Sequence, residues 1–147
     1  RGAYMEKENA RAVEKGYPTP ICASKEATDK NYDAAVLYMA EHIETMAIFA
    51  GTHNELSSYT LMNLMQERGI KTNDERIWFG QLFGMSDNIS YNLAAHRYNV
   101  AKYLPFGPVK DVMPYLIRRA EENTSVAGQT SRELSMIKAE RSRRKSS

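Results

Sequence analysis

The stretch RIWFGQLFGMSDNISYNLAAHRYNVAKYLPFG, residues 76 to 107, decides the fold. Two runs rich in aromatic and β-branched residues, 76 to 84 and 99 to 107, both lead into glycine and read as buried strands. Between them, residues 86 to 97 carry a helical pattern with Ser86 as the N-cap. Upstream the order repeats: TMAIFA (45 to 50) reads as a strand and NELSSYTLMNLMQER (54 to 68) as a helix. That helix has Asn54 as cap, Leu61, Leu64 and Met65 on one face, and Gly69 as its stop. The strand starts lie 31 and 23 residues apart, the rhythm of βα units joined by right-handed crossovers. The expected fold is therefore α/β with a parallel sheet, without hairpins.

Further upstream, YMEKENARAVEK and KEATDKNYDAAVLYMAEH read as two helical pieces, separated by a turn that carries Pro18 and Pro20. The composition, 42% hydrophobic and 26% charged over 147 residues, suits one domain with a real core and is too small for two. A lone cysteine, Cys22, excludes an internal disulfide and a thiol pair for a metal, and points to a reducing compartment. No apolar run approaches the ~20 residues of a membrane span. The chain opens on Arg1, so the sequence is silent on targeting.

The net charge of +2 is unevenly spread. Residues 138 to 147 hold Lys138, Arg141, Arg143, Arg144 and Lys145 against Glu140, a surplus of +4 that leaves −2 on the rest. Such a tail reads as a helical or disordered solvated end, with an anionic surface as its other use. The expected division is residues 1–129 as the body and 130–147 as this basic tail.

In βα architectures, ligand-binding residues gather where strands end and loops begin. Those ends are AGTHN, LFGMSD and YLPFG, while RGAY at the N-terminus reads as the end of a further strand. Four strand ends suggest the C-terminal half of a (βα)8 TIM-type barrel, about strands 5–8 with their helices, whose usual full length is about 250 residues. The chain is expected to be a fragment.

The segment VKDVMPYLIRRAEENTS carries a second signal. On a helical wheel Val109, Val112, Met113, Leu116, Ile117 and Ala120 form an apolar stripe. Tyr115, Arg118, Arg119 and Glu122 share the other side. Pro114 argues for a start near Asp111 as N-cap. Two guanidinium forks beside a phenol suit a small carboxylate. A solvated face with Arg118 and Glu122 paired at i, i+4 accounts for the same residues.

Taken in order, RGAYMEKE, AGTHN, FGQLFGMSD and KYLPFGPVKDVMPYLIRRAEENTS resemble the C-terminal part of the proline dehydrogenases, from Arg1 to about Gln129. That family oxidises L-proline to pyrroline-5-carboxylate on FAD, in a distorted (βα)8 barrel whose last helix closes on the substrate. The resemblance implies that Arg118 and Arg119 bind the proline carboxylate, and that Tyr115 packs beside them. It implies that Tyr103 walls the substrate ring and crowds out a ring hydroxyl. Leu82 would supply an apolar wall. Arg1, Gly2 and Ala3 would lie along the flavin, Ala3 and Tyr4 would face the substrate, and Thr52 and His53 would contact FAD. No residue of this stretch is given a catalytic role.

His53 has no second His or Cys at ligand spacing, so no metal site is read, and His42 and His96 read as surface residues. The resemblance also implies a membrane quinone as electron acceptor and the N-terminal half of the barrel as a partner. The location it implies is the cytoplasm, peripheral at the inner membrane through the basic tail, or the mitochondrion in a eukaryote. Alone, the chain is expected to be inactive and prone to associate through an open sheet edge. Two other readings compete: a flavin barrel acting on another small amino or imino acid, and a non-catalytic half-barrel interaction module. Nucleic-acid binding is not expected, since the tail lacks interleaved aromatics.

Overall fold

The computed structural model describes residues 4–125 and 127–145. Among these residues six helices and three strands follow in the order α1 (Met5–Lys15), α2 (Lys25–Glu41), β1 (Ile48–Gly51), α3 (Glu55–Glu67), β2 (Ile77–Leu82), α4 (Asp87–Ala95), β3 (Val100–Tyr103), α5 (Val109–Ser125) and α6 (Ala127–Lys145). They fall into two compact units, Arg1–Leu104 and Pro105–Ser147.

In the first unit the strands form one parallel sheet in the order β1-β2-β3, so the βα reading holds. Ile48 pairs with Ile77, Gly51 with Gly80, Phe79 with Val100 and Leu82 with Tyr103. Because side chains alternate across a strand, Ile48, Ala50, Ile77 and Phe79 turn to one face. There they are buried with Val36 and Ala40 of α2, Leu61 and Met65 of α3, and Ile89 and Leu93 of α4. Phe49, Trp78, Leu82 and Tyr103 take the opposite parity, and on that face Phe49 and Tyr103 remain 65% and 56% exposed. The Phe49 ring lies over Gly80, so a side chain there would push the ring outward.

Local signals explain most element ends. Asn54 caps α3, its side chain accepting from the Leu56 N–H at 3.0 Å. Ser24 caps α2 in the same way from Ala27, at 3.1 Å. Gly16 and Gly69 take the left-handed conformation just past α1 and α3.

The N-terminal edge of the sheet is tied by charge. Asp74 meets Arg76 through two parallel contacts, Arg76 Nε to Oδ1 at 2.9 Å and Nη2 to Oδ2 at 2.7 Å. This pairing lowers the Asp74 carboxyl to about 2. Arg76 also reaches Glu44 at 3.4 Å, and Asn99 donates to the carbonyls of Asp74 and Ile77.

The second unit corrects one expectation. α5 begins at Val109 rather than after an Asp111 cap, and Pro114 lies inside it. The carbonyl of Pro108 accepts from the N–H groups of Asp111 and Val112, at 2.9 and 3.2 Å, so the helix is already under way before Asp111. Pro114 then removes one i to i−4 bond, a loss confined to the second turn. Val109, Met113, Leu116 and Ile117 of the apolar stripe are exposed. The basic tail is helical: α6 runs to Lys145 and ends on Arg143, Arg144 and Lys145, the charge sign that a helix C-terminus favours.

Candidate functional site

The C-terminal edge of the parallel sheet gathers several of the residues singled out from the sequence. Thr52 follows β1 directly, its N–H donating to the Gly80 carbonyl at 3.1 Å. Its hydroxyl accepts from the Asn54 N–H at 3.0 Å, which leaves the hydroxyl hydrogen to be donated. His53 comes next and is half-buried, with Nδ1 2.8 Å from the hydroxyl of Ser86. Leu82, half-buried, ends β2 as the register partner of Tyr103, which ends β3. Thr52, His53, Leu82 and Tyr103 thus share one edge, brought there by three successive strands.

Arg118, Arg119 and Tyr115 belong to α5. Arg119 stacks its guanidinium on the Tyr115 ring, 5.6 Å from the centroid, a cation–π contact that holds the fork in a fixed plane. Arg118 is exposed. Tyr4 is 68% exposed and occupies the N-cap position of α1. Arg1, Gly2 and Ala3 lie outside the described residues.

Ser86 departs from its expected role. It does stand at the N-cap position of α4, but with φ 51 and ψ 42 and no side-chain cap bond. An N-cap side chain reaches the first-turn N–H groups from an extended backbone. The left-handed backbone turns the hydroxyl to His53 instead, while the Ser86 carbonyl accepts from the N–H groups of Ile89 and Ser90.

A buried network beneath this edge was not anticipated. Gln81 is 2% exposed; its side-chain oxygen accepts from the Ser90 hydroxyl at 2.9 Å and its nitrogen approaches the Thr52 carbonyl at 3.4 Å. Lys102 closes the 83–86 turn from β3, with Nζ 2.7 Å from the Met85 carbonyl and 2.8 Å from Asp87. The signal was present in the alternation: Gln81 and Lys102 are polar at the parity of Phe79 and Val100. Among the described residues no group of three His, Cys, Asp or Glu could hold a metal ion. His42 and His96 are exposed, each with Nδ1 against the carbonyl four residues earlier.

The donors of the sheet edge fit part of a dinucleotide cofactor. A hydroxyl hydrogen on Thr52 and an imidazole at His53 suit its polar chain.

Comparison with known proteins gives a consistent family. The model of the family described as proline dehydrogenase matches residues 1–132. The human protein named proline dehydrogenase 1, mitochondrial, is 42% identical over 147 residues, covering 98% of this chain and 24% of that protein. The Xenopus laevis hydroxyproline dehydrogenase is 39% identical, covering 98% of this chain and 32% of that protein. The crystal structure of proline utilization A from Bdellovibrio bacteriovorus, inactivated by N-propargylglycine, superposes with a TM-score of 0.76 at 30% identity, over 87% of this chain and 13% of that one. The chain thus spans a quarter to a third of the length of these two curated relatives.

Proposed function

From the premise that this chain belongs to the proline dehydrogenase family, we propose that it supplies the C-terminal strands of a (βα)8 barrel that oxidises L-proline to pyrroline-5-carboxylate with FAD. The supporting observation is the shared C-terminal edge, where Thr52, His53, Leu82 and Tyr103 arrive from consecutive parallel strands. That is the edge at which barrels of this type bind ligands.

In this reading Arg118 and Arg119 hold the substrate carboxylate, two planar forks for two oxygens. Tyr115 keeps the Arg119 fork in plane. Tyr103 and Leu82 wall the ring and exclude water, so the reacting carbon is oriented and its surroundings are dry. Tyr4 and Ala3 face the substrate, Arg1, Gly2 and Ala3 run along the cofactor, and Thr52 and His53 bind its polar chain. The cofactor, when bound, accepts the hydride that the carbon beside the ring nitrogen gives up. The ring nitrogen is neutral at that moment and its remaining proton passes to water as the C=N bond forms. The electrons leave to a membrane quinone, and the exposed basic end of α6 is the contact with an anionic membrane surface. Alone, the chain is inactive, because the rest of the barrel carries the other walls of the site.

A second substrate reading follows from the similarity to a hydroxyproline dehydrogenase at 39% identity, against 42% for the human proline dehydrogenase. Tyr103 decides between them by crowding a ring hydroxyl. The test is the visible spectrum of the whole protein, kept free of air, before and after L-proline or a ring-hydroxylated proline. Flavin bands that bleach with L-proline at far lower concentration support the first reading. A reversed preference supports the second, and the absence of any flavin removes both and favours a non-catalytic half-barrel.

A further inference from the structure

Ser86 sits on a backbone that suits glycine and few other residues: at φ 51 and ψ 42 an L side chain is crowded by its own carbonyl. In that conformation it forgoes the cap bond a serine ordinarily makes to its helix. It is nonetheless 3% exposed and held firmly from below. The N–H groups of Ile89 and Ser90 both bind its carbonyl at 3.1 Å, and the Ser90 hydroxyl reaches the same carbonyl at 3.2 Å while bridging to Gln81. What the side chain gains there is the contact with His53 Nδ1 at 2.8 Å, across 33 residues of chain.

We propose that Ser86 is a positioning residue for the cofactor site: by fixing Nδ1 of His53 it sets the plane of the imidazole and hence where Nε2 is directed. The inference rests on the reading that His53 contacts the cofactor. Its physical content is pre-organisation. A ring held on one side by a rigid turn meets its ligand without losing the rotational freedom of an unrestrained histidine. The turn is rigid because Lys102 ties the Met85 carbonyl and the Asp87 carboxylate on the other side of Ser86.

The test is FAD binding to the apo form of the whole protein, followed by quenching of flavin fluorescence, for His53→Ala, Ser86→Gly and the double variant. Thermal melting of each apoprotein serves as the structural control. Glycine accepts the same backbone, so Ser86→Gly removes the hydroxyl without disturbing the turn, and its melting temperature should not fall. Each single variant should weaken FAD binding about fivefold to tenfold, the worth of one hydrogen bond. The double should be no weaker than His53→Ala alone.

In protein labelled with 15N-histidine, the His53 ring resonances, identified by their loss in His53→Ala, should move in Ser86→Gly. Wild-type FAD binding in Ser86→Gly beside a weakened His53→Ala overturns the proposal and leaves the cofactor reading standing. Wild-type binding in His53→Ala removes the cofactor reading and the proposal with it. Independent, additive losses also overturn the proposal, because Ser86 would then act by another route. Should Ser86→Gly fail to fold, Ser86→Ala, which likewise has no group to meet Nδ1 and bears a modest strain at this backbone, carries the comparison under the same criteria for FAD binding and the ring resonances.

Discussion

The buried bridge between Gln81 and Ser90 makes a quantitative prediction whose sign depends on which partner is removed. Ser90→Ala takes away the hydroxyl that donates to the Gln81 side-chain oxygen, on a residue 2% exposed, and a buried acceptor left without its bond costs about 1–3 kcal/mol. Alanine regains about 0.5 kcal/mol of helix propensity in α4, so the net loss should be about 1–2 kcal/mol. Gln81→Leu removes the other partner and has a different outcome. The Ser90 hydroxyl keeps its second acceptor, the Ser86 carbonyl at 3.2 Å, and the bond given up to the Thr52 carbonyl is long at 3.4 Å. Its cost should stay below about 1 kcal/mol, because the leucine is close in volume and Phe79, two residues away on the same buried face of β2, is apolar. The double variant should be about as stable as Gln81→Leu, giving a coupling of about 1 kcal/mol or more. Urea unfolding followed by Trp78, the one tryptophan of the sequence, measures all four proteins with an unchanged slope. A Ser90→Ala variant within about 0.3 kcal/mol of wild type, or strictly additive losses, would refute the reasoning.

Three further outcomes can be checked. Asp74, lowered from 3.8 to about 2 by Arg76, binds its proton less readily when folded than when unfolded, so its contribution is complete above about pH 4 and lost as the pH falls toward 2. Asp74→Asn should therefore cost about 1 kcal/mol at pH 7, a figure reduced by the partial exposure of Arg76, and the two proteins should converge near pH 2 in urea titrations. Leu61→Ala, at a fully buried site, should lower stability by about 3 kcal/mol, read from the urea midpoint at constant slope. In the flavin-loaded whole protein Arg118→Gln should raise KM for L-proline at least about tenfold with a smaller change in kcat, the loss of one charge-assisted bond. An equal fall in kcat alone would count against carboxylate binding.

The architecture was legible because burial is written in residue type. The runs around Ile48, Ile77 and Val100 are apolar on both parities or end in glycine, and each became a parallel strand. Their limits were not. The first begins only at Ile48, since the N–H groups of Thr45 and Met46 are drawn back to the His42 carbonyl. The last ends at Tyr103, before Pro105, and the middle one at Leu82, before Gly84 turns the chain at φ 77. These are contests between local turns and ladder bonds, which pattern alone does not weigh. Ser86 was misread for a related reason. A serine before an apolar run signals a cap on average, and nothing local tells of a histidine 33 residues away that competes for the hydroxyl. The arginine face of α5 was legible as chemistry. Tyr115 and Arg119 do meet, four residues apart on one face, whereas Pro114 misled because the Pro108 carbonyl starts the helix before it.

The two edges of the sheet are held by different chemistry, and the difference bears on what each can do. At the N-terminal edge a carboxylate and a guanidinium are joined in two parallel contacts, and Asn99 spans two carbonyls. Those groups are fully committed, and the ion pair holds one charge state over the whole neutral range. At the C-terminal edge the ties nearest His53 involve hydroxyls and a carboxamide, with the Lys102–Asp87 ion pair set on the other side of the 83–86 turn. Neutral donors of this kind can be shared or re-aimed at modest cost when a polar ligand arrives, which a committed ion pair cannot match without leaving a charge unpaired. A parallel sheet built this way separates stability from recognition. Changes at Asp74 or Arg76 should alter how firmly the chain folds and leave ligand affinity alone, while changes at Ser86 should do the reverse.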